Sequence, residues 1–319
     1  MTLAAEPKKI VVTGALGHIG SHLIRDLPVH FPGAEIVMID NLMTQRFASL
    51  FELPAAGRYR FVEGDITKID LAPLFAYAHA VVHLAAITDA AGSIDKAAQV
   101  EANNLEATRR VAEACAATGT RLIALSSTSV YGTQESKVDE DCRPEDLKPQ
   151  SPYADTKLKE EILVQGLVRD KQLRALIFRF GTIFGTSPGM RFHTAVNKFC
   201  WQAVMGQPLT VWRTAYDQMR PYLDLRDAAR AIAFVLKEDL FDGRIYNALT
   251  LNATVRQIVE AIRAQVPDLA VTFVDNRIMN QLSYEVSSAR FRERGFAFAG
   301  DLERGVSETV ALLRSANTR

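Results

Sequence analysis

The sequence Ile10-Val-Val-Thr13-Gly14-Ala-Leu-Gly17-His-Ile-Gly20 decides the fold, because it joins a β-branched run to a helical segment through a turn with three glycines. Ser-His-Leu-Ile-Arg25 follows and begins the helix. Glycines in such a turn let the backbone bend tightly and approach a pyrophosphate closely, while the N–H groups of the helix N-terminus point at its negative charge. The stretch therefore predicts a strand–turn–helix unit that binds phosphate, although glycines alone also suit a plain structural turn.

Asp40 follows the second β-branched run, 20 residues after Gly20. A carboxylate at this point would accept hydrogen bonds from both hydroxyls of an adenosine ribose and would repel a 2′-phosphate. Together with the glycine turn, Asp40 therefore favours NAD over NADP. The alternative is that Asp40 and Asn41 only form the turn that ends the strand, since both residue types are frequent in turns.

Short apolar runs alternate with longer segments of helical period along the first 180 residues. This alternation predicts parallel strands joined by crossover helices, and the nearly continuous apolar character of the runs indicates that helices cover both faces of the sheet. We therefore predict an α/β fold with a Rossmann-type doubly wound parallel sheet. The predicted strands after the first are Ile36–Ile39, Tyr59–Val62, Ala80–Leu84, Leu122–Leu125 and Leu173–Phe178.

The pattern loosens after about residue 181 into loops rich in glycine, proline and aromatic residues. We expect residues 1–180 to form the NAD-binding domain and residues 181–319 mainly a smaller, interleaved substrate-binding domain, with 220–250 returning to the first domain. Asp227 is the expected N-cap of a helix that runs to Leu236. Earlier in the chain, an apolar stripe at helical spacing predicts a helix over about residues 97–117 with Cys115 in the core.

Composition excludes several classes of function. Lysine plus arginine and aspartate plus glutamate both number 37, so no basic field would attract nucleic acid. The three cysteines include no Cys-x-x-Cys pair, and we expect no metal site. The N-terminal nine residues lack a signal-like apolar stretch, and no later run is long enough to cross a membrane. We expect a cytoplasmic protein.

A candidate chemical site lies at Ser151-Pro-Tyr153-Ala-Asp-Thr-Lys157. The spacing of four places Tyr153 and Lys157 on one face of a helix, where the ammonium would lower the pKa of the phenol from about 10 and make it a general base. The pair alone is weak evidence, because it arises often by chance. The hydroxyl cluster Ser126–Ser129, directly after the fifth predicted strand, supports the interpretation, because open α/β sheets bind ligands at that edge.

The order and spacing of these motifs, with Gly64-Asp65-Ile66, His83-Leu-Ala-Ala86 and Tyr131-Gly132, resemble the extended short-chain dehydrogenases, the NAD-dependent epimerase/dehydratase family. The resemblance covers nearly the whole chain. It implies that Ser127, Tyr153 and Lys157 are catalytic. It also implies that the cofactor is bound by Gly14, Gly17, His18, Ile19, Gly20, Asp40, Asn41, Asp65, Ile66, Leu84, Ala85, Ala86, Asn104, Tyr153 and Lys157.

The resemblance also implies a nucleotide-diphosphate sugar as substrate. Arg179-Phe-Gly-Thr182 resembles a family segment that carries asparagine where this chain has Thr182, so the contact with the sugar nucleotide must differ. Arg220 matches an arginine that pairs with the nucleotide diphosphate, although a surface arginine is the alternative. Arg191 and Asn197 suit either the pocket or the solvated surface. The expected substrate-binding residues are Ser127, Thr128, Thr182, Arg191, Asn197 and Arg220.

The implied chemistry is transient oxidation of a sugar, with Tyr153 removing a hydroxyl proton while a hydride passes to NAD. We expect a 4-epimerase, with a 4-ketosugar reductase as the alternative. Thr128-Ser129 stands where a 4,6-dehydratase of the family carries an Asp-Glu pair, which disfavours dehydration. A cofactor-sensing protein without catalysis is disfavoured, because Tyr153 and Lys157 are both present. We expect a homodimer.

Overall fold

The computed structural model describes residues 7–88, 97–134, 137–275 and 283–316. The first six residues, which belong to the segment expected to lack a signal sequence, lie outside this part. In the described part, no helix has the length and apolar character needed to cross a membrane. Within the same ranges, no group of three or more His, Cys, Asp or Glu side chains is placed to hold a metal ion.

A sheet of seven parallel strands forms the centre of the fold and confirms the predicted α/β class. Its spatial order is β3-β2-β1-β4-β5-β6-β10, so the strand order reverses direction between β1 and β4. Ligands of open α/β sheets bind at such a switch point, outside the carboxyl ends of the strands. The strands are β1 (Lys9–Thr13), β2 (Glu35–Asp40), β3 (Arg58–Glu63), β4 (Ala80–His83), β5 (Arg121–Ser127), β6 (Ala175–Phe180) and β10 (Ile245–Ala248).

Helices cover both faces of this sheet, because successive side chains of a strand point to opposite sides. Ile10 and Val12 of β1 belong to a core cluster with the first and sixth helices, whereas Val11 belongs to a cluster with the second, third and fourth. Cys115 lies in the second cluster and is fully buried, as predicted. The helices are α1 (His18–His30), α2 (Ala72–Phe75), α3 (Ala97–Thr118), α4 (Pro152–Lys171), α5 (Ala195–Val204), α6 (Leu225–Lys237), α7 (Val255–Gln265), α8 (Ala289–Arg292) and α9 (Leu302–Arg314).

Two small sheets lie in the second half of the chain, and a third core cluster joins them to α5, α7 and α9. Residues 219–224 belong to a small sheet, whereas α6 and β10 pack with the large one. The chain therefore leaves the large sheet after β6 and returns to it for its last strand. The strands of the small sheets are β7 (Thr182–Phe184), β8 (Leu209–Trp212), β9 (Met219–Asp224), β11 (Leu251–Thr254) and β12 (Val271–Val274).

The predicted N-cap of α6 is wrong. Asp224 is the N-cap, and its side chain accepts a hydrogen bond from the backbone N–H of Arg226. Asp227 lies in the first turn of the helix and is buried, where it accepts hydrogen bonds from Thr250 Oγ1 and from the backbone N–H of Gly300. Both aspartates suit the first turn of a helix in sequence, and only the distant contacts of Asp227 distinguish them.

A buried ion pair joins α4 to β6. Arg179 donates two hydrogen bonds to the Glu161 carboxylate, at 2.8 and 2.7 Å, and both residues are almost fully buried. The guanidinium also lies over the ring of Tyr131, 4.8 Å from its centre. Because each charge has its partner inside the protein, the pair holds α4 at a fixed position against the sheet.

We predict that Glu161→Gln lowers the free energy of unfolding by about 3 kcal/mol or more, because it leaves the buried Arg179 charge without a counter-charge. Chemical denaturation followed by circular dichroism measures the change. Glu113→Gln, which removes an exposed partner of Arg109, is the control and should cost about 1 kcal/mol or less. A loss at Glu161 as small as that of the control would contradict the assigned role of the buried pair.

Candidate active site

The glycine turn after β1 is a cradle in which side chains do not fit. Gly14 has a φ of +64°, and a Cβ there would lie 2.6 Å from the backbone nitrogen of Ala85. A Cβ on Gly20 would lie 2.4 Å from the carbonyl oxygen of Gly14. Gly17 is the N-cap of α1 and no side chain caps that end, so the first N–H groups of the helix remain available to an anion. The turn fits a cofactor diphosphate.

Asp40 lies at the end of β2 and partly determines the shape of this turn. One carboxylate oxygen accepts a hydrogen bond from the N–H of Leu16 at 3.0 Å, and the other accepts one from the N–H of Leu42 at 2.9 Å. The side chain stays partly exposed. Asn41 is exposed and accepts a hydrogen bond from the N–H of Met43. Asp40 therefore bonds to the backbone on both sides of its strand end, and its carboxylate stays partly exposed beside the glycine turn.

The loops after β3 and β4 carry the other expected cofactor residues. Asp65 is partly exposed, and a hydrogen bond from the Thr67 hydroxyl is the main cause that lowers the pKa of the Asp65 carboxyl. The neighbouring Ile66 is buried in the core. Asn104 is buried on α3, and its amide exchanges two hydrogen bonds with the backbone of Ile87, at 2.8 and 2.9 Å. Asn104 thus ties the loop after β4 to α3.

Tyr153 and Lys157 lie on the first turns of α4, as predicted. Ser151 is the N-cap, and its hydroxyl accepts a hydrogen bond from the N–H of Ala154. The Lys157 ammonium lies 5.9 Å from the centre of the Tyr153 ring. Helix α4 packs against the short 3₁₀ turn at residues 128–131, directly after Ser127. The fold therefore brings the helix of Tyr153 and Lys157 against the hydroxyl cluster at the end of β5.

The protonation of Tyr153 differs from the expectation. Burial raises the pKa of Tyr153, the positive charge of Lys157 lowers it, and the Glu160 carboxylate raises it again, so that the pKa lies above its ordinary value. Lys157 lowers the pKa of Tyr153, as predicted, but the predicted net fall toward neutrality is wrong, because burial and Glu160 outweigh the effect of Lys157. Glu160 shows no distinctive signal in the sequence, since one more charged residue on a helix is ordinary.

The expected substrate residues fall into two groups. Thr182 on β7 and Arg220 on β9 are partly exposed, and their strands are neighbours in one small sheet. Thr128 is buried and its hydroxyl donates to the backbone oxygen of Phe180. Asn197 is also buried, and its amide side chain contacts the backbone of Gly185 at 3.3 Å. The side chains of Thr128 and Asn197 are therefore bonded to backbone inside the protein, whereas those of Thr182 and Arg220 are partly exposed.

The loop at residues 185–191 lies against the glycine turn, a contact that the sequence patterns do not predict, although Arg191 of this loop is among the expected substrate-binding residues. The N–H of Gly189 donates to Ser21 Oγ at 2.9 Å, and Arg46 donates to the carbonyl oxygen of Gly189 at 2.7 Å. A Cβ on Gly189 would lie 2.3 Å from the carbonyl oxygen of Leu16. A single glycine in a Pro-Gly turn carries no signal for this contact, because the contact spans about 170 residues of sequence.

Side chains reinforce this contact. His18 Nδ1 lies 2.8 Å from the Ser187 hydroxyl. Burial, and then the nearby positive charge of Arg46, lower the pKa of His18 to about 3, so the ring is neutral at physiological pH. Arg191 donates to the Thr88 hydroxyl, in the loop after β4, at 2.6 Å, and its charge lowers the pKa of Tyr153. The glycine turn and the loop at residues 185–191 are therefore in direct contact.

Comparisons with known proteins place this geometry in a family. The family model "NAD dependent epimerase/dehydratase family" matches residues 10–248. A UDP-glucose 4-epimerase from Azospirillum brasilense is 30% identical over 318 residues, 91% of this chain and 87% of that protein. A UDP-glucuronic acid 4-epimerase structure from Bacillus cereus, in complex with UDP-4-deoxy-4-fluoro-glucuronic acid and NAD, superposes with a TM-score of 0.85 at 26% identity, covering 97% of this chain and 99% of that one.

Another relative is a longer protein. A trifunctional UDP-glucose 4,6-dehydratase/UDP-4-keto-6-deoxy-D-glucose 3,5-epimerase/UDP-4-keto-L-rhamnose-reductase from Arabidopsis thaliana is 28% identical over 318 residues, 96% of this chain and 47% of that protein. The chain thus spans about half the length of the curated relatives of this kind. The family model, by contrast, covers most of the chain and includes the glycine turn and α4. This protein belongs to the NAD-dependent epimerase/dehydratase family.

Proposed function

We propose that this protein is an NAD-dependent nucleotide-sugar epimerase that acts at C4 through a transient 4-keto intermediate. The observation that carries the proposal is the position of Tyr153 and Lys157, on a helix that packs against the segment after Ser127, at the edge of the sheet where the glycine turn lies. The epimerases of Azospirillum brasilense and Bacillus cereus, which match nearly the whole chain, support it.

The residues of the site divide the work. NAD, when bound, supplies an acceptor for the hydride and returns it. The N–H groups at the glycine turn would hold its diphosphate and Asp40 its adenosine ribose. Tyr153 takes the proton of the sugar hydroxyl, and Ser127 hydrogen-bonds the same oxygen. The charge of Lys157 stabilises the phenolate, which burial alone disfavours.

Other chemistries of the family fit less well. A 4,6-dehydratase needs a further acid and base beside the catalytic hydroxyl, but Thr128 donates its hydroxyl to the backbone and Ser129 donates to Ser127 Oγ. Neither side chain is a carboxylate. A 4-ketosugar reductase would use the same tyrosine and lysine and is the second candidate. The intact Tyr153 and Lys157 argue against a cofactor sensor without catalysis.

The organisation expected from the sequence belongs to the same proposal. Six of the seven large-sheet strands lie before residue 181, which supports an NAD-binding domain at 1–180. Helix α6 and β10 support the return of the chain to it, although β9 lies in a small sheet. Residues 181–319 would mainly bind the nucleotide-diphosphate sugar, with Thr182, Arg191 and Arg220 at its surface. A cytoplasmic homodimer completes the proposal.

The first prediction concerns the choice of cofactor. NAD should bind at least tenfold more tightly than NADP, a difference of about 1.4 kcal/mol, because the Asp40 carboxylate repels a 2′-phosphate. Asp40→Asn keeps an acceptor oxygen but removes the charge, so it should reduce the ratio of the affinity for NAD to that for NADP. Isothermal titration calorimetry measures all four affinities. Equal affinities of the unaltered protein for the two cofactors would refute the ribose contact.

The second prediction concerns the base. Tyr153→Phe should lower kcat about 100-fold or more, because it removes the proton acceptor, and should leave the Kd of NAD nearly unchanged. Lys157→Met should lower kcat and also raise the Kd of NAD. The control is Tyr77→Phe, which removes a hydroxyl from a side chain that is 98% exposed and should change neither quantity. If Tyr153→Phe keeps more than about a tenth of the rate, general-base catalysis belongs to another residue.

The third prediction separates epimerase from reductase. In a 4-epimerase the hydride taken from C4 returns to the opposite face of the same carbon. A nucleotide sugar deuterated at C4 should therefore give an epimer that retains the label at C4, with no net change in NADH absorbance, and mass spectrometry locates the label. Stoichiometric NADH consumption with a 4-ketosugar would identify a reductase. Label at C6 with loss of water would identify a dehydratase.

A further inference from the structure

The Lys157 ammonium is held from the interior of the protein as well as facing Tyr153. Its Nζ donates to Glu160 Oε2 at 2.9 Å, and each of the two residues is 5% exposed. An ion pair at this depth cannot exchange its partners for water, so the carboxylate fixes the position of the ammonium. Glu160 therefore contacts the residue that we propose to act on the phenol of Tyr153.

A chain of buried hydrogen bonds holds Glu160 in turn. Thr108 donates to Glu160 Oε2 at 2.8 Å, and its oxygen lies 3.2 Å from His83 Nε2. His83 Nδ1 lies 2.8 Å from the hydroxyl of Thr13, at the end of β1. Burial, followed by the charge of Lys157, lowers the pKa of His83 to about 3, so the ring is neutral and has one N–H.

The directions of these hydrogen bonds follow from the first of them, in which the Thr108 hydroxyl donates to Glu160. Because Thr108 gives its hydrogen to Glu160, the hydroxyl oxygen of Thr108 must accept from His83 Nε2–H. His83 Nδ1 then accepts from the hydroxyl of Thr13, whose oxygen can also accept from the N–H of Ala85 at 3.4 Å. The two threonine hydroxyls and the ring N–H of His83 then each have an acceptor. The chain connects Lys157 to the strand that leads into the glycine turn.

The second oxygen of Glu160 lies at a small cavity. Oε1 has no hydrogen-bond partner among the described residues, and neither has the hydroxyl of Ser126, which lines the same cavity of about 10 Å³. This volume is the lower limit for one water molecule. Burial raises the pKa of the Glu160 carboxyl, while the charge of Lys157 and the hydrogen bonds from Lys157 and Thr108 favour its charged form.

We propose that Glu160 is a positioning residue, which anchors the Lys157 ammonium from the protein interior and limits how much of its charge acts on Tyr153. The inference rests on the proposed roles of Tyr153 and Lys157. Glu160 would act on Tyr153 through Lys157, the residue that it contacts. Thr108, His83 and Thr13 hold that residue in place between α3, α4 and the large sheet.

The consequence for pH has a definite sign. A carboxylate near a phenol disfavours the phenolate, so Glu160 raises the pKa of Tyr153, and its loss should lower it. The other charged groups nearby do not reverse this. Glu161 is paired with Arg179, His83 is neutral, and the charge of Arg191 lowers the pKa of Tyr153 in both forms of the protein. Removing one negative charge lets the Tyr153–Lys157 pair lose its proton at lower pH.

The experiment is a spectroscopic titration that needs no substrate. Tyrosinate absorbance is recorded against pH for the unaltered protein and for Glu160→Gln. From each curve we subtract the curve of the same protein that also carries Tyr153→Phe. The difference isolates the phenol of Tyr153. Its midpoint should fall by about one pH unit in Glu160→Gln, and the acidic limb of the kcat/KM profile should move with it.

The matched control is Glu101→Gln, which removes one of the two carboxylate partners of Lys159 on the exposed side of α4 and should not move the midpoint. If Glu160→Gln does not fold, Glu160→Asp is used instead. It keeps the negative charge but moves it away from Lys157 and Tyr153, so the midpoint should fall by a smaller amount. An unchanged or raised midpoint in a folded variant overturns the inference. If the midpoint falls but the protein has no epimerase activity, the positioning role of Glu160 is supported and the proposed function is rejected.

Discussion

The structure depends on the close packing of three backbone segments around the glycine turn. Gly14 lies against the backbone of Ala85, Gly20 against the carbonyl of Gly14, and Gly189 against that of Leu16, each at a distance that excludes a Cβ. The first contact sets β1 against β4, where the strand order reverses, and the second sets the start of α1. The third brings a distant loop onto the same turn. A backbone surface without side chains is what a diphosphate requires.

Helix α4 carries two consecutive glutamates with different partners. Neighbouring residues on a helix point about 100° apart, and here Glu160 faces Lys157 and α3, whereas Glu161 faces Arg179 and β6. One carboxylate therefore holds the helix to the sheet, while the other pairs with Lys157 on the same helix. Charges that are costly to bury persist because each has a partner, and their cost explains why the position of α4 is so strictly determined.

Local patterns in the sequence were sufficient for the large sheet, the glycine turn and the start of α4, because a strand, a turn and a helix cap are each determined by neighbouring residues. The N-cap of α6 was assigned to Asp227 instead of Asp224, since the buried contacts of Asp227 involve residues 250 and 300. The pKa of Tyr153 was misjudged for the same reason. Burial and the orientation of Glu160 arise from packing, which spacing along the chain does not reveal.

The order of strands also constrains how the protein forms during synthesis. β6 pairs with β5 on one side and with β10 on the other, yet 64 residues lie between the end of β6 at Phe180 and the start of β10 at Ile245. A ribosome adds about 5–20 residues per second, so this edge of the nascent sheet stays open for roughly 3 to 13 seconds. An open edge can pair with other chains. Until β10 is synthesised, the unpaired N–H and C=O groups of β6 therefore form an edge of the sheet at which another chain can pair.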